Sequence, residues 1–209
     1  MRIALFGGTG RTGIHIVEQA LAQGHEVRLL ARTPEKVTIK HPCLHVIPGD
    51  VRDLAAVERT IQDTEAVISV LGPSSSKPEF AVTQGTRNLL TAMQRHGVRR
   101  LIVSAGAGVR DPLDQPGAFD RVISAVLNIV SKHVVADMKQ VVQLVRESDR
   151  SWTIVRVPML TDDPPTGNLR VGYLGKGVGV RLSRADMAAF ILRQLGDQTY
   201  LCQSPVISN

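Results

Sequence analysis

The residues with the clearest chemical meaning form one run, Gly7-Gly8-Thr9-Gly10-Arg11-Thr12-Gly13. They follow the apolar stretch Ile3-Ala4-Leu5-Phe6 and precede Ile14 to Ala22, which is patterned as an amphipathic helix. A glycine turn between strand and helix lets backbone N–H groups face a phosphate, and the helix dipole favours the anion there. Glycine is needed where a Cβ would block the ligand or where φ must be positive. Two spacings fit: G-x-G-x-x-G through Gly8, Gly10 and Gly13, and G-x-x-G-x-x-G through Gly7, Gly10 and Gly13. Directly after a first strand, either predicts a pyrophosphate held by Gly7, Thr9, Gly10, Arg11, Thr12 and Gly13. A loop of the G-x-x-x-x-G-K-[ST] type is excluded, because no Lys-Ser or Lys-Thr follows the glycines.

Such a turn works only on a sheet that presents it, and the rest of the chain supplies the pattern for one. Strand-like segments are Glu26 to Ala31, Leu44 to Ile47, the continuous apolar Ala66 to Leu71, Arg100 to Ser104 and Thr153 to Val157. Helical segments fall between them, at Leu54 to Thr60, Phe80 to His96 (ended by Gly97) and Val122 to Ser148. This alternation predicts an α/β fold, a doubly wound parallel sheet with helices on both faces. With 209 residues and 43% hydrophobic composition, the expectation is a single Rossmann domain over residues 1–209. The tail predicts a small hairpin of Leu169 to Tyr173 and Val178 to Leu182. After it come a helix from Ser183, with Asp186 completing a near capping box, and a last strand at Tyr200 to Cys202. Residues 73–78 read as a polar loop, and substrate-side loops are expected at about 105–119 and 161–182.

In a doubly wound sheet the ligand lies across the C-terminal strand ends, so the residues just after each strand decide which ligand fits. After the second strand stand Arg32 and Thr33, with Lys36 one turn on, where an NAD site would place an acid for the ribose 2′-OH. A cation suits a 2′-phosphate, which predicts NADPH. After the third strand, Asp50 either accepts from the adenine amino group or caps the helix from Leu54, and Val51 can pack on the ring. After the fourth, Leu71-Gly72 lets the backbone run close to the cofactor.

The net charge of +6 invites a nucleic-acid reading, but the basic residues are scattered and aromatics make up only 3% of the chain. An anionic cofactor accounts for part of the charge, and nucleic acid is not expected as a partner. No apolar run reaches the roughly 18 residues of a membrane span. No leader pattern precedes the strand starting at Arg2, and Cys43 and Cys202 form no framework, so the expectation is a cytoplasmic protein without a membrane partner. His41-Pro42-Cys43-Leu44-His45 has three ligand types but no second set, and no metal is expected.

The glycine run, Leu30-Ala31-Arg32, Gly49-Asp50-Val51 and Val70-Leu71-Gly72 together resemble the atypical short-chain dehydrogenase/reductase superfamily. Within it the chain resembles the NAD(P)H-binding group of flavin reductase (biliverdin-IXβ reductase) and NmrA-like proteins. Asn88-Leu89, His96-Gly97-Val98, Leu144-Val145-Arg146-Glu147-Ser148, Trp152 to Arg156, Pro165-Thr166-Gly167 and Ser183 to Met187 extend the likeness over nearly the whole chain. The resemblance implies NADPH across the strand ends, with the nicotinamide near Ser104 and near Pro158-Met159. Substrate would then stack beneath the flanking loops. Met138 and Met159 stand where the flavin reductases carry active-site histidines, a departure that bears on the substrate.

The chain lacks the Tyr-x-x-x-Lys pair of carbonyl-reducing short-chain dehydrogenases; its two tyrosines are Tyr173 and Tyr200. Hydride transfer to a conjugated acceptor (a flavin, quinone or tetrapyrrole) needs less, since solvent can deliver the proton. Ser104 is the candidate for orienting the carboxamide or the acceptor, and Lys139 for contacting substrate or the nicotinamide ribose. The expected function is an NADPH-dependent reductase of such a small-molecule acceptor, acting as monomer or dimer. The alternative is a non-enzymatic NADP(H) sensor of the NmrA-like type.

Overall fold

The computed structural model describes residues 1–72, 80–117 and 132–209. The predicted polar loop at 73–78, the first part of the helix expected from residue 122 and the end of the loop expected to reach residue 119 lie outside these residues.

The apolar segments form strands because each can bury two faces. In β1 (Arg2–Phe6), Ala4 and Phe6 enter one apolar cluster and Ile3 and Leu5 the other. The same alternation runs through β4 (Ala66–Ser69), β5 (Arg100–Gly106) and β6 (Ser151–Val157). Helices α2 (Leu54–Ile61), α3 (Ala81–Arg95) and α4 (Lys132–Glu147) cover the first face. Helix α1 (Arg11–Ala22) and helix α5 (Arg184–Arg193) cover the second. With β2 (Glu26–Ala31), β3 (Leu44–Pro48), β8 (Arg170–Gly172) and β10 (Val206–Ser208), the main sheet has the order β3-β2-β1-β4-β5-β6-β10-β8. All its pairs are parallel except β8 with β10. The first six positions follow the doubly wound dinucleotide-binding order.

The tail departs from expectation in three ways. The segments predicted as a hairpin do not pair with each other: β8 joins β10 antiparallel, while β9 (Arg181–Ser183) joins β7 (Met159–Thr161) in a separate two-stranded parallel sheet. The reason lies in β10, whose three residues are all buried and whose backbone needs a partner on each edge; β6 supplies one and β8 the other. Residues Tyr200 to Cys202 form turns rather than the last strand, which is β10. Cys202 adopts a positive φ of 53° there, so the run cannot continue as a strand.

Ser183 does occupy the N-cap of α5, but the capping box is absent. Its hydroxyl donates to the Asp163 carbonyl at 2.8 Å. Asp186 accepts from the Thr166 and Gly167 N–H groups at 2.8 and 3.1 Å and from Asn209 Nδ2 at 2.8 Å. Both side chains hold the segment after β7 instead of their own helix.

Candidate functional site

The sheet order reverses between β1 and β4, and a crevice opens at the carboxyl ends of the strands at such a point. A cleft of about 220 Å³ lies there. Phe6, Gly7, Thr9 and Gly10 line it from the end of β1, Leu30 and Arg32 from β2, and Gly49, Asp50, Val51 and Arg52 after β3. Val70, Leu71 and Gly72 after β4, and Ala81 and Val82 at the start of α3, complete it.

The glycines divide the work. Gly7 has φ +88°, and a Cβ on it would come within 2.7 Å of the Val70 carbonyl oxygen. A Cβ on Gly13 would stand 2.2 Å from the Gly7 carbonyl oxygen, so α1 starts against the turn only because that side chain is missing. Gly7 and Gly10 line the cleft, whereas Gly8 is buried against Leu5 and Leu29. Gly7 and Gly10 thus face the cleft, while Gly8 and Gly13 are glycines because packing leaves no room for a side chain. Gly10 is the N-cap of α1; it offers no side-chain cap, and no acid stands in the first turn. The positive end of the helix faces the cleft with no carboxylate of its own, a fit for a pyrophosphate. Thr12 lies beyond the cleft. Arg11 reaches across to Asp162, which Arg184 also holds at 2.7 Å.

At the far end, Arg32 lines the cleft, while Thr33 and Lys36 sit in the short 3-10 turn that follows and do not. Asp50 does not cap α2; Asp53 does, accepting from the Ala55 N–H at 3.0 Å. The Asp50 carboxylate is taken by Arg52, through the backbone N–H at 2.8 Å, Nε at 3.0 Å and Nη2 at 2.9 Å. The Arg52 hydrogen bonds, joined by the charges of Arg52 and Arg32, hold the Asp50 carboxyl below its ordinary range despite partial burial. Val51 is fixed from α3: Asn88 Nδ2 donates to its carbonyl at 2.9 Å, and its methyls press on Gly85. The start of α3 is held in turn by the buried Asp137, which accepts from the N–H groups of Val82 and Thr83 at 3.3 and 2.9 Å.

A second recess, of about 280 Å³, shares Val70, Leu71 and Gly72 with the cleft. Thr12, Ser104, Ala105, Gly106, Val134, Met138, Val157, Leu160 and Met187 complete its lining. Among these described residues none is ionisable; the polar side chains are the hydroxyls of Thr12 and Ser104. Pro158 and Met159 do not line it, though their neighbours Val157 and Leu160 do. Met159 is 55% exposed, because β7 turns out of the main sheet to pair with β9.

Ser104 and Lys139 are not brought together. Lys139 lies in a different surface recess with Val109, Arg110, Val142 and Arg146. One residue along a helix turns about 100°. Since Met138 enters the core and the recess, Lys139 faces outward.

Sequence reading missed what fixes the loop after β5. Arg156, wholly buried on β6, forms a fork with Asp114 at 2.7 and 2.8 Å. Asp114 also accepts from the N–H groups of Asp111 and Leu174 at 2.8 and 3.0 Å. Beside it, Arg146 and Ser204 both donate to Asp111. An arginine inside a strand was the available signal, since a buried guanidinium requires a partner.

Fold and site define a dinucleotide-binding Rossmann protein. The chain belongs to the NAD(P)H-binding family, which it matches over residues 7–198. It is 30% identical over 185 residues to an uncharacterised chloroplastic protein of Arabidopsis thaliana, covering 80% of this chain and 62% of that one. It is 38% identical over 120 residues to a 3β-hydroxysteroid dehydrogenase/Δ5→4-isomerase of Mycobacterium tuberculosis, covering 52% of this chain and 32% of that one. The chain thus spans 62% and 32% of the lengths of these two relatives. Among solved structures, a short-chain dehydrogenase/reductase of Veillonella parvula in complex with NADP superposes with a TM-score of 0.83 at 20% identity, covering 100% of this chain and 94% of that one. An oxidoreductase from Lactococcus lactis gives 0.83 at 19% identity, covering 100% and 91%. The family makes the chain NAD(P)H-binding, and the solved structures share its fold. Among the described residues no helix is long and apolar enough to cross a membrane, and no group of three or more His, Cys, Asp or Glu side chains could hold a metal ion.

Proposed function

We propose that the chain is an NADPH-dependent reductase passing hydride to a conjugated small-molecule acceptor of the flavin, quinone or linear-tetrapyrrole kind. The observation that carries this reading is the apolar recess adjoining the cleft, lined among the described residues without an ionisable side chain. A carbonyl substrate needs a positioned acid for its developing alkoxide. A conjugated acceptor spreads the charge and takes its proton from solvent, so the site has mainly to stack and orient. A bound reduced nicotinamide supplies the hydride.

The chain's residues then have separable roles. Gly7, Gly10 and the α1 N-terminus receive the pyrophosphate, Arg32 the 2′-phosphate, and Val51 the adenine. Ser104 orients the carboxamide or the acceptor by hydrogen bond. Met138, Leu160 and Met187 provide apolar contact and exclude water. This division is the one that the sequence resemblance to the flavin reductase and NmrA-like group leads one to expect, and a small acceptor is the one partner it requires.

The test mixes purified protein with NADPH and follows the reduced-nicotinamide absorbance against FMN, riboflavin, quinones and a linear tetrapyrrole. Saturable, acceptor-dependent oxidation supports the reductase. Tight NADPH binding with no turnover on any of them overturns it in favour of a redox sensor. In the same preparation, Arg32→Ala should weaken NADPH at least tenfold more than NADH, about the worth of one charge-assisted hydrogen bond.

A further inference from the structure

Asp50 stands where a carboxylate could meet the adenine amino group, but its oxygens already face a cation. Arg52, two residues on, grips the same carboxylate with Nε and Nη2 at 3.0 and 2.9 Å, in the two-pronged geometry that fixes a guanidinium plane. Both residues line the cleft, as does Arg32, the residue just after β2. The Arg32 charge also favours the ionised form of Asp50. The three side chains sum to one positive charge at this end of the cleft, while a phosphate monoester carries about −1.5 to −2. Without Arg52, Arg32 and Asp50 would sum to zero, so Arg52 supplies the net positive charge that such a group requires there.

We propose that Arg52 is a second specificity-determining residue for the cofactor, forming with Arg32 a two-cation site for the ribose 2′-phosphate, and that Asp50 is a positioning residue that presents Arg52. This rests on the NADPH reading above and adds to it a residue and a division of labour. Val51, between the pair, keeps its place by Asn88 and Gly85, so the turn carrying Arg52 is braced from α3.

The experiment measures Kd for NADPH and NADH by calorimetry on wild type, Arg52→Ala, Arg52→Lys, Asp50→Asn, the Arg52→Ala/Asp50→Asn double variant and Arg32→Ala, with thermal melts to confirm folding. Arg52→Ala should weaken NADPH about ten- to a hundredfold and NADH less than about threefold. Arg52→Lys, which keeps the charge but cannot fork, should fall between. Asp50→Asn should weaken NADPH selectively, and the double variant should be no worse than Arg52→Ala alone, since one residue acts through the other. Equal losses for both cofactors in Arg52→Ala, or no loss, overturn the proposal. Losses that multiply in the double variant overturn the positioning role and return Asp50 to direct contact. Selective loss in Arg32→Ala but not Arg52→Ala sinks this inference alone; no selective loss in either sinks the NADPH reading with it.

Discussion

Replacing Asp114 by alanine tests whether one buried ion pair holds the loop after β5. The Asp114 side chain is 2% exposed and that of Arg156 is 0%. Without the carboxylate, the guanidinium keeps two carbonyl partners, Ser204 at 2.7 Å and Val109 at 3.1 Å, and the Tyr173 ring at 5.7 Å, and loses its paired charge. The N–H groups of Asp111 and Leu174 lose their acceptor as well. Breaking a buried pair from one side costs about 3–5 kcal/mol, and each stranded donor adds about 1–3 kcal/mol unless water enters. With water admitted to the vacated space, the expected loss is about 4 kcal/mol, a large fraction of a typical stability of about 5–15 kcal/mol. Arg156→Met should cost about 2 kcal/mol less, because Asp114 retains its two backbone donors. The Asp114→Leu/Arg156→Met pair should recover most of the deficit. Urea unfolding followed by the fluorescence of Trp152, which is buried on the same strand, reads all four proteins. The pH dependence has a fixed sign. Burial pulls the Asp114 pKa up, but the Arg156 fork and the two N–H groups outweigh it and leave it below its ordinary value. A depressed carboxylate stabilises the fold above the unfolded pKa of about 3.9 and loses that contribution as pH falls through the folded value. The gap between wild type and Asp114→Ala should therefore be full at neutral pH and narrow below about pH 4. A loss under about 1 kcal/mol, or a gap that widens in acid, would refute the reasoning.

Two glycine substitutions should separate folding from binding. A Cβ on Gly10 meets only the Gly7 carbonyl oxygen, at 3.3 Å, so Gly10→Val should melt near wild type yet bind neither NADPH nor NADH. Gly13→Ala, with its 2.2 Å clash against backbone, should lower Tm or fail to fold. Asn88→Ala frees the Val51 carbonyl and should weaken NADPH and NADH alike, by roughly threefold to tenfold, in the same titrations. Ser104→Ala should leave NADPH affinity within about threefold while lowering turnover of whichever acceptor is active, a split that steady-state kinetics reads directly.

The two ends of the site differ in how far a sequence can disclose them, and the difference is physical. The cofactor end is made of short runs at successive strand ends: Gly7 to Gly13, Arg32, Gly49 to Arg52, Leu71-Gly72. Each is punctuated by glycine or charge right after an apolar run, so alternation and turn chemistry locate them without tertiary contacts. The recess is assembled from residues scattered over many elements, such as Thr12, Ser104, Met138, Leu160 and Met187, each apolar or small and locally indistinguishable from core. Lys139 stands outside the recess lining for that reason: a helix carries polar and apolar positions one residue apart, and only packing decides that Met138 enters the recess. The tail reading failed for another. Whether Arg170–Gly172 pairs with its neighbour or with Val206–Ser208 depends on which strand edge is left open at the end of the sheet, a long-range condition no local pattern encodes. The charged residues carried more long-range information than their spacing suggested. Arg156 inside a strand requires a buried acid, and that acid is Asp114, 42 positions away. Buried ions thus report tertiary structure that apolar periodicity cannot. Here Arg156 and Asp114 tie β6 to the loop that follows β5, and the last residues of β5, Ser104, Ala105 and Gly106, line the recess.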